Sequence, residues 1–230
     1  MNYILPIYGN SDIRPVITGL AITSPDDTIL FVDKANQRIQ KFSQDGTFLS
    51  FIGGNHVFES PFGIAVAKNG DIMISESDAH HIKIFEGENG PLKKKCGTKG
   101  IGKGKLLYPR GIATDNNSNI FVADSGSHQV KVINTKDQDD ASFGSFGNMP
   151  GFFDTPYDVS LTNDGKKVVV VEARNHRLQI FTKAVAGNDF QDSCIAMTKE
   201  DCCDSSDNVK ELTRCEQSSE LQESDYEIDF

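Results

Sequence analysis

Three histidines, His80, His128 and His176, recur at intervals of 48 residues, and imidazole is a common zinc ligand, so a shared metal ion is the first chemistry to weigh. Four acids, Asp33, Glu76, Asp124 and Glu172, recur with separations of 43, 48 and 48 residues. Regular recurrence places one copy on each structural unit. Strands lie about 4.8 Å apart, so ligands on different units stand well over 10 Å from one another, whereas zinc needs its nitrogens at about 2 Å. No metal site is expected from these columns, and the acids read more simply as turn-forming carboxylates bonded to nearby backbone N–H groups. A third candidate, Gly97-Thr98-Lys99-Gly100-Ile101-Gly102-Lys103, spells G-x-x-x-x-G-K, but Gly104 follows it in place of Ser or Thr and no helix start comes next. A phosphate cradle depends on the N–H groups of that helix, so no nucleotide cofactor is expected. The fourth is a cluster of charge: Lys93, Lys94, Lys95, Lys99, Lys103, Lys105 and Arg110 lie in a stretch without an acid.

The elements that carry these residues repeat. Gly19-Leu20-Ala21-Ile22, Gly63-Ile64-Ala65-Val66, Gly111-Ile112-Ala113-Thr114 and Asp158-Val159-Ser160-Leu161 open four units. Each passes through a polar turn into a short apolar run that ends in one of the acids. A second corner leads to an alternating run, Ile39 to Phe42, Ile82 to Phe85, Val130 to Ile133 and Leu178 to Phe181, whose period of two marks a strand. A fourth strand is expected at Phe48 to Ile52, Lys93 to Cys96 and Phe143 to Phe146, each followed by glycine, at Gly53, Gly97 and Gly147. Four-stranded sheets of this kind bury their faces by stacking radially, which predicts an all-β, four-bladed β-propeller. The fourth unit has no outer strand of its own, and Tyr3 to Tyr8 is a spare strand-like segment; pairing the two would close the ring and leave no open sheet edge.

These columns resemble the NHL repeat family. Its pattern of proline, one residue, glycine and aliphatic, then an acid, then Asn-x-Arg-aliphatic-x-x-Phe, is similar to Asp33 through Phe42 at nearly every fixed position, and Glu172 through Phe181 repeats it. The resemblance covers roughly residues 14 to 183. The middle units depart from it, with His81 and Gln129 in the arginine column. Many such propellers end proteins that begin with a RING finger and B-boxes, the tripartite motif proteins, in which the propeller recognises RNA or protein. The resemblance therefore implies a non-catalytic protein-binding module, with substrate recognition for a ubiquitin ligase system as its finer form. Ligase activity would have to come from a RING region that the five cysteines here, lacking paired spacing, do not form. Two alternatives stand beside it. One is binding of single-stranded RNA by a rim of Arg38, Lys93, Lys94, Lys95, Lys99, Lys103, Lys105, Arg110 and Arg177, with Phe58, Tyr108 or Phe152 stacking on bases. The other is a metal-dependent peptidyl-hydroxyglycine lyase, for which no central set of histidines is found.

Charge divides the chain. The formal charge of −10 comes wholly from residues 186–230, which carry 13 acids and 3 bases, while residues 1–185 carry 20 of each. The first part is expected to be the propeller and the second a disordered, acidic tail rich in Ser, Asp and Glu, able to mask the basic rim. No apolar run approaches a membrane span, and the N-terminus lacks a basic flank, so a cytoplasmic protein with reduced thiols and no membrane contact is expected.

Overall fold

The computed structural model describes residues 14–53, 57–135, 140–183 and 190–198. All regular structure among them is β. Blade 1 is β1 (Ile17–Ile22), β2 (Ile29–Asp33), β3 (Arg38–Phe42) and β4 (Phe48–Gly53). Blade 2 is β5 (Pro61–Val66), β6 (Ile72–Glu76), β7 (His81–Phe85) and β8 (Leu92–Cys96). A small parallel pair follows, β9 (Thr98–Lys99) with β10 (Lys105–Leu106). Blade 3 is β11 (Pro109–Thr114), β12 (Ile120–Asp124), β13 (Gln129–Ile133) and β14 (Ala141–Phe143). Blade 4 is β15 (Pro156–Leu161), β16 (Lys167–Glu172), β17 (Arg177–Lys183) and β18 (Phe190–Thr198). Each blade is an antiparallel meander in chain order. The four innermost strands fan around one central cavity of about 370 Å³ that all of them line. This is the propeller arrangement expected from the repeat.

Adjacent blades are joined by apolar layers whose members recur by column. Leu30, Val32 and Ile39 of blade 1 pack on Ile64, Ile72, Ile74 and Phe85 of blade 2. Met73, Ile82 and Ile84 meet Ile112, Ile120, Val122 and Ile133, and Phe121, Ala123, Val130 and Val132 meet Val159, Val168, Val170 and Phe181. The link into each following blade drops one large side chain into its layer, Phe58, Leu106 and Phe153. The glycine that ends the outer strand makes room for it. At Gly53 and Gly144, with φ of +81° and +82°, an added Cβ would lie 2.3 and 2.2 Å from the Phe58 and Phe153 rings.

Two strand assignments differ from the sequence reading. The outer strand of blade 3 is Ala141–Phe143, not Phe143 to Phe146, because the glycine equivalent to Gly53 is Gly144 and not Gly147. The outer place on β17 is filled by β18, in the pairing Arg177↔Thr198 through Lys183↔Phe190, and not by the N-terminal segment. An unfilled edge offers a row of N–H and C=O groups to whichever extended segment reaches it, and the stretch directly after β17 is the nearest. Tyr3 to Tyr8 lies outside the described residues, as does the acidic stretch beyond Thr198.

Candidate interaction face

The register fixes which loops share a face. The first residue of each innermost strand pairs with the acid ending the second strand, as in Ile17↔Asp33 and Pro109↔Asp124, and the first or second residue of the third strand pairs with the fourth strand's last, as in Arg38↔Gly53 and Ile82↔Cys96. The corners after the acids and the links between blades therefore emerge on one side, the link face. Backbone bonds tie them: Ser77 N–H donates to Ser60 C=O, Gly126 N–H to Leu107 C=O, and Ala173 N–H to Thr155 C=O.

The repeating acids are buried at these corners and fasten the links. Glu76 accepts from Glu59 N–H at 2.5 Å, Asp124 from Leu107 N–H at 2.6 Å, and Glu172 from Asp154 N–H at 2.9 Å. In blade 1 Asp33 accepts from Asn36 Nδ2 at 2.8 Å, Gln40 Nε2 at 2.9 Å and Arg38 Nε at 3.2 Å. In blade 2 Lys83 Nζ and His81 Nε2 reach Glu76. Charge inside the protein is tolerated because each carboxylate is surrounded by donors.

The histidine column has a local use. His80, His128 and His176 hold φ of 57°, 55° and 51° at the corner. His80 Nδ1 accepts from Tyr108 N–H at 3.0 Å and His128 Nδ1 from Thr155 N–H at 3.2 Å, each in the link to the next blade. An accepting Nδ1 requires the neutral ring, and burial pushes the His80 pKa down, in the same sense. Among the described residues no group of three His, Cys, Asp or Glu side chains is placed to hold a metal ion.

The bases separate into three sets. Arg38 is ion-paired with Asp33 and stacks 3.9 Å from the Phe51 ring centroid. Arg177 is paired with Glu172 at 2.5 Å, and its terminal nitrogens donate to the carbonyls of Asn148, Met149 and Phe152. Both are corner fasteners. Lys93, Lys94 and Lys95 lie on β8, where Lys93 reaches Asp71 at 2.8 Å and Lys94 reaches Thr135 C=O, in turns on the side opposite the link face. Lys99, Lys103 and Lys105 stand exposed on the small β9–β10 flap of the link face. The flap turns through glycines at positive φ, and strand β11 follows it, so the G-x-x-x-x-G-K stretch leads into a strand and not into a helix.

Arg110 belongs at the mouth of the central cavity. Its guanidinium lies 4.7 Å from the Tyr157 ring centroid and 5.6 Å from that of Phe62, while Phe62 and Tyr157 meet edge to face at 5.3 Å. Lys34 approaches Phe62 from blade 1 at 5.3 Å. Phe62, Arg110 and Tyr157 occupy one column, the residue after the proline of each repeat, so large side chains in that column were the signal of a shared cluster. Tyr108, Phe146, Met149, Phe152 and Ile101 stand exposed on the links around it. Of the three rings expected to stack on a ligand, Tyr108 and Phe152 are exposed, whereas Phe58 is a core residue at 2% exposure.

Comparison with known proteins follows this geometry. The family model of the NHL repeat matches residues 106–133, from the flap through the third strand of blade 3, and with the blade arrangement it supports an NHL-repeat propeller. None of the curated proteins compared with the chain matches it. Among solved structures, virginiamycin B lyase from Staphylococcus aureus, in a catalytically inactive form with quinupristin, is 15% identical at a TM-score of 0.57, over 79% of this chain and 55% of that one. A streptogramin B lyase is 18% identical at a TM-score of 0.56, over 76% of this chain and 54% of that one. The nidogen/laminin complex is 19% identical at a TM-score of 0.58, over 80% and 76%. The likeness is one of fold, and this chain spans about half the length of the lyases it matches.

Proposed function

We propose that the chain is a non-catalytic recognition module that binds a protein partner on its link face, around Phe62, Arg110 and Tyr157. The supporting observation is composition at one place: Tyr108, Phe146, Met149, Phe152 and Tyr157 are exposed around an arginine stacked on aromatic rings. Tyr, Phe, Met and Arg are the side chains enriched in protein interfaces and, for Tyr and Arg, in their energetic centres. The corner acids and two of the histidines hold the links in place, which fixes the shape of the face. Delivery of substrates to a ubiquitin ligase is the finer form of this reading. Panning a random peptide display library against the 230-residue chain, with counter-selection on a Tyr108→Ser, Phe146→Ser, Tyr157→Ser variant, tests it. Enriched peptides that bind the native face and lose at least about tenfold in affinity on the variant are expected; peptides indifferent to the three changes would refute it.

A second reading, single-stranded RNA, rests on the exposed Lys99, Lys103 and Lys105 beside Tyr108 and Phe152 on the same face. Filter binding of oligouridylate at two salt concentrations separates the two, because phosphate contacts weaken steeply with salt.

A further inference from the structure

The third residue of each third strand forms one column, Gln40, Lys83, Lys131 and Gln179, and all four are buried. In three blades this side chain is tied to the corner acid. Gln40 Nε2 donates to Asp33 at 2.9 Å, Lys83 Nζ to Glu76 at 3.1 Å and Gln179 Nε2 to Glu172 at 2.6 Å. Lys83 and Gln179 also donate to a carbonyl of the link that covers them, Val57 and Phe152 respectively. Blade 3 breaks the pattern. Lys131 is 6% exposed, yet the one hydrogen bond its Nζ makes among the described residues is a long one, 3.4 Å, to Gly102 C=O of the flap. Asp124 takes the Ser127 hydroxyl and Leu107 N–H instead.

Between the flap and strands β13 and β14 lies a second cavity, of about 230 Å³, which Lys131 itself lines. Ile101, Leu106 and Ile133 give it apolar walls, and Lys103 and Lys105 of the flap line its exposed side. Asp140 is the acid among its lining residues, so three lysines face one carboxylate and the cavity is net positive. An ammonium carries three donors, and burying it with a single long acceptor is costly unless an anion completes its shell. Burial pushes the Lys131 pKa down against the attraction of Asp124 and Asp140, as expected of a charge whose partners do not fully compensate it. We propose that this cavity binds a small carboxylate on a short aliphatic stem, with its head on Lys131 Nζ and its stem against Ile101, Leu106 and Ile133. The apolar walls select the stem. Asp140 selects a single charge, because it repels a phosphate dianion more strongly than a monoanion. The third and fourth strands of blade 3 line this cavity, whereas Phe62, Arg110 and Tyr157 belong to innermost strands, so the two sites are separate.

Calorimetric titration of hexanoate into the full 230-residue chain tests the site. Saturable one-site binding at millimolar concentration is expected, and hexan-1-ol, which has the same stem and no charge, should bind at least about tenfold more weakly. Lys131→Met keeps most of the side-chain volume and removes the cation, and it should weaken hexanoate by a similar factor. Ser142 is exposed, lines the cavity and pairs directly with Lys131 across β14. Ser142→Phe should therefore obstruct the cavity while leaving the lysine in place, which keeps the test open if the methionine variant fails to fold. No saturable binding by the native chain, equal binding of the alcohol, or unchanged hexanoate affinity in either folded variant would overturn the inference. Peptide panning on the link face addresses the other surface, so either reading can fail alone.

Discussion

Blades 3 and 4 solve the same problem with different side chains. Each buries an acid at the end of its second strand, and each acid holds the link by a backbone N–H. At blade 4, Glu172 also receives Arg177 at 2.5 Å, Asn175 at 2.6 Å and Gln179 at 2.6 Å. At blade 3 those three places are Gln129, Ser127 and Lys131. Ser127 donates its hydroxyl to Asp124, but Gln129 turns away to Gly144 C=O at 3.1 Å. With no guanidinium, burial dominates and the Asp124 pKa is pushed up to about 6. Burial also pushes the Lys131 pKa down. The corner of blade 4 thus pairs its buried charge with a cation, and at blade 3, where the arginine is missing, Asp124 becomes a titrating group.

The largest effect should come from breaking the complete corner. Arg177→Leu leaves Glu172 buried without its cation and frees the carbonyls of Asn148, Met149 and Phe152. Removing one partner of a buried ion pair typically costs about 3–5 kcal/mol, so urea denaturation should show a loss of that order at neutral pH. Pairing it with Glu172→Leu should recover much of the loss, because the uncompensated charge is then gone.

Next in size is the pH response of blade 3. The folded pKa of Asp124 lies above its unfolded value of about 3.9, so the native state binds the extra proton. Stability is therefore fully helped below about pH 4 and falls as pH rises through about 6, by up to about 3 kcal/mol from this group. Asp124→Asn keeps an acceptor for Leu107 N–H and cannot ionise. The stability of the variant relative to the native chain should rise between those pH values and level off above them; a difference that stays flat across the window would show that the carboxylate is solvated.

What the sequence made legible is whatever repeats. The strand runs and the acids recur at near-constant spacing and land on the same place in every blade, and the corner histidines do so in blades 2, 3 and 4, where blade 1 has Gln37. Features outside the period were harder to see. Phe58 and Phe152 are both link aromatics, yet one is core and the other exposed, a difference set by which ring drops behind the glycine of the outer strand. The β18 pairing depends on an open backbone edge and not on a side-chain pattern. Phe62, Arg110 and Tyr157 form one cluster only because three blades turn their first strands toward a common axis.

The smaller effects test whether blade 3 can be converted into blade 4. Gln129→Arg places a guanidinium where Arg177 stands, and a charge-assisted bond to Asp124 should stabilise the chain by about 1–2 kcal/mol at neutral pH. The pH slope assigned to Asp124 should shrink in the same variant, since the arginine holds the acid ionised; stabilisation without that change would locate the gain in packing. Lys93→Ala marks the lower bound. Its partner Asp71 lies at a turn, and the lysine side chain is 50% exposed, so solvent screens the pair and no measurable shift of the urea midpoint is expected. A larger loss would mean that an exposed ion pair here does what only the buried corners are argued to do.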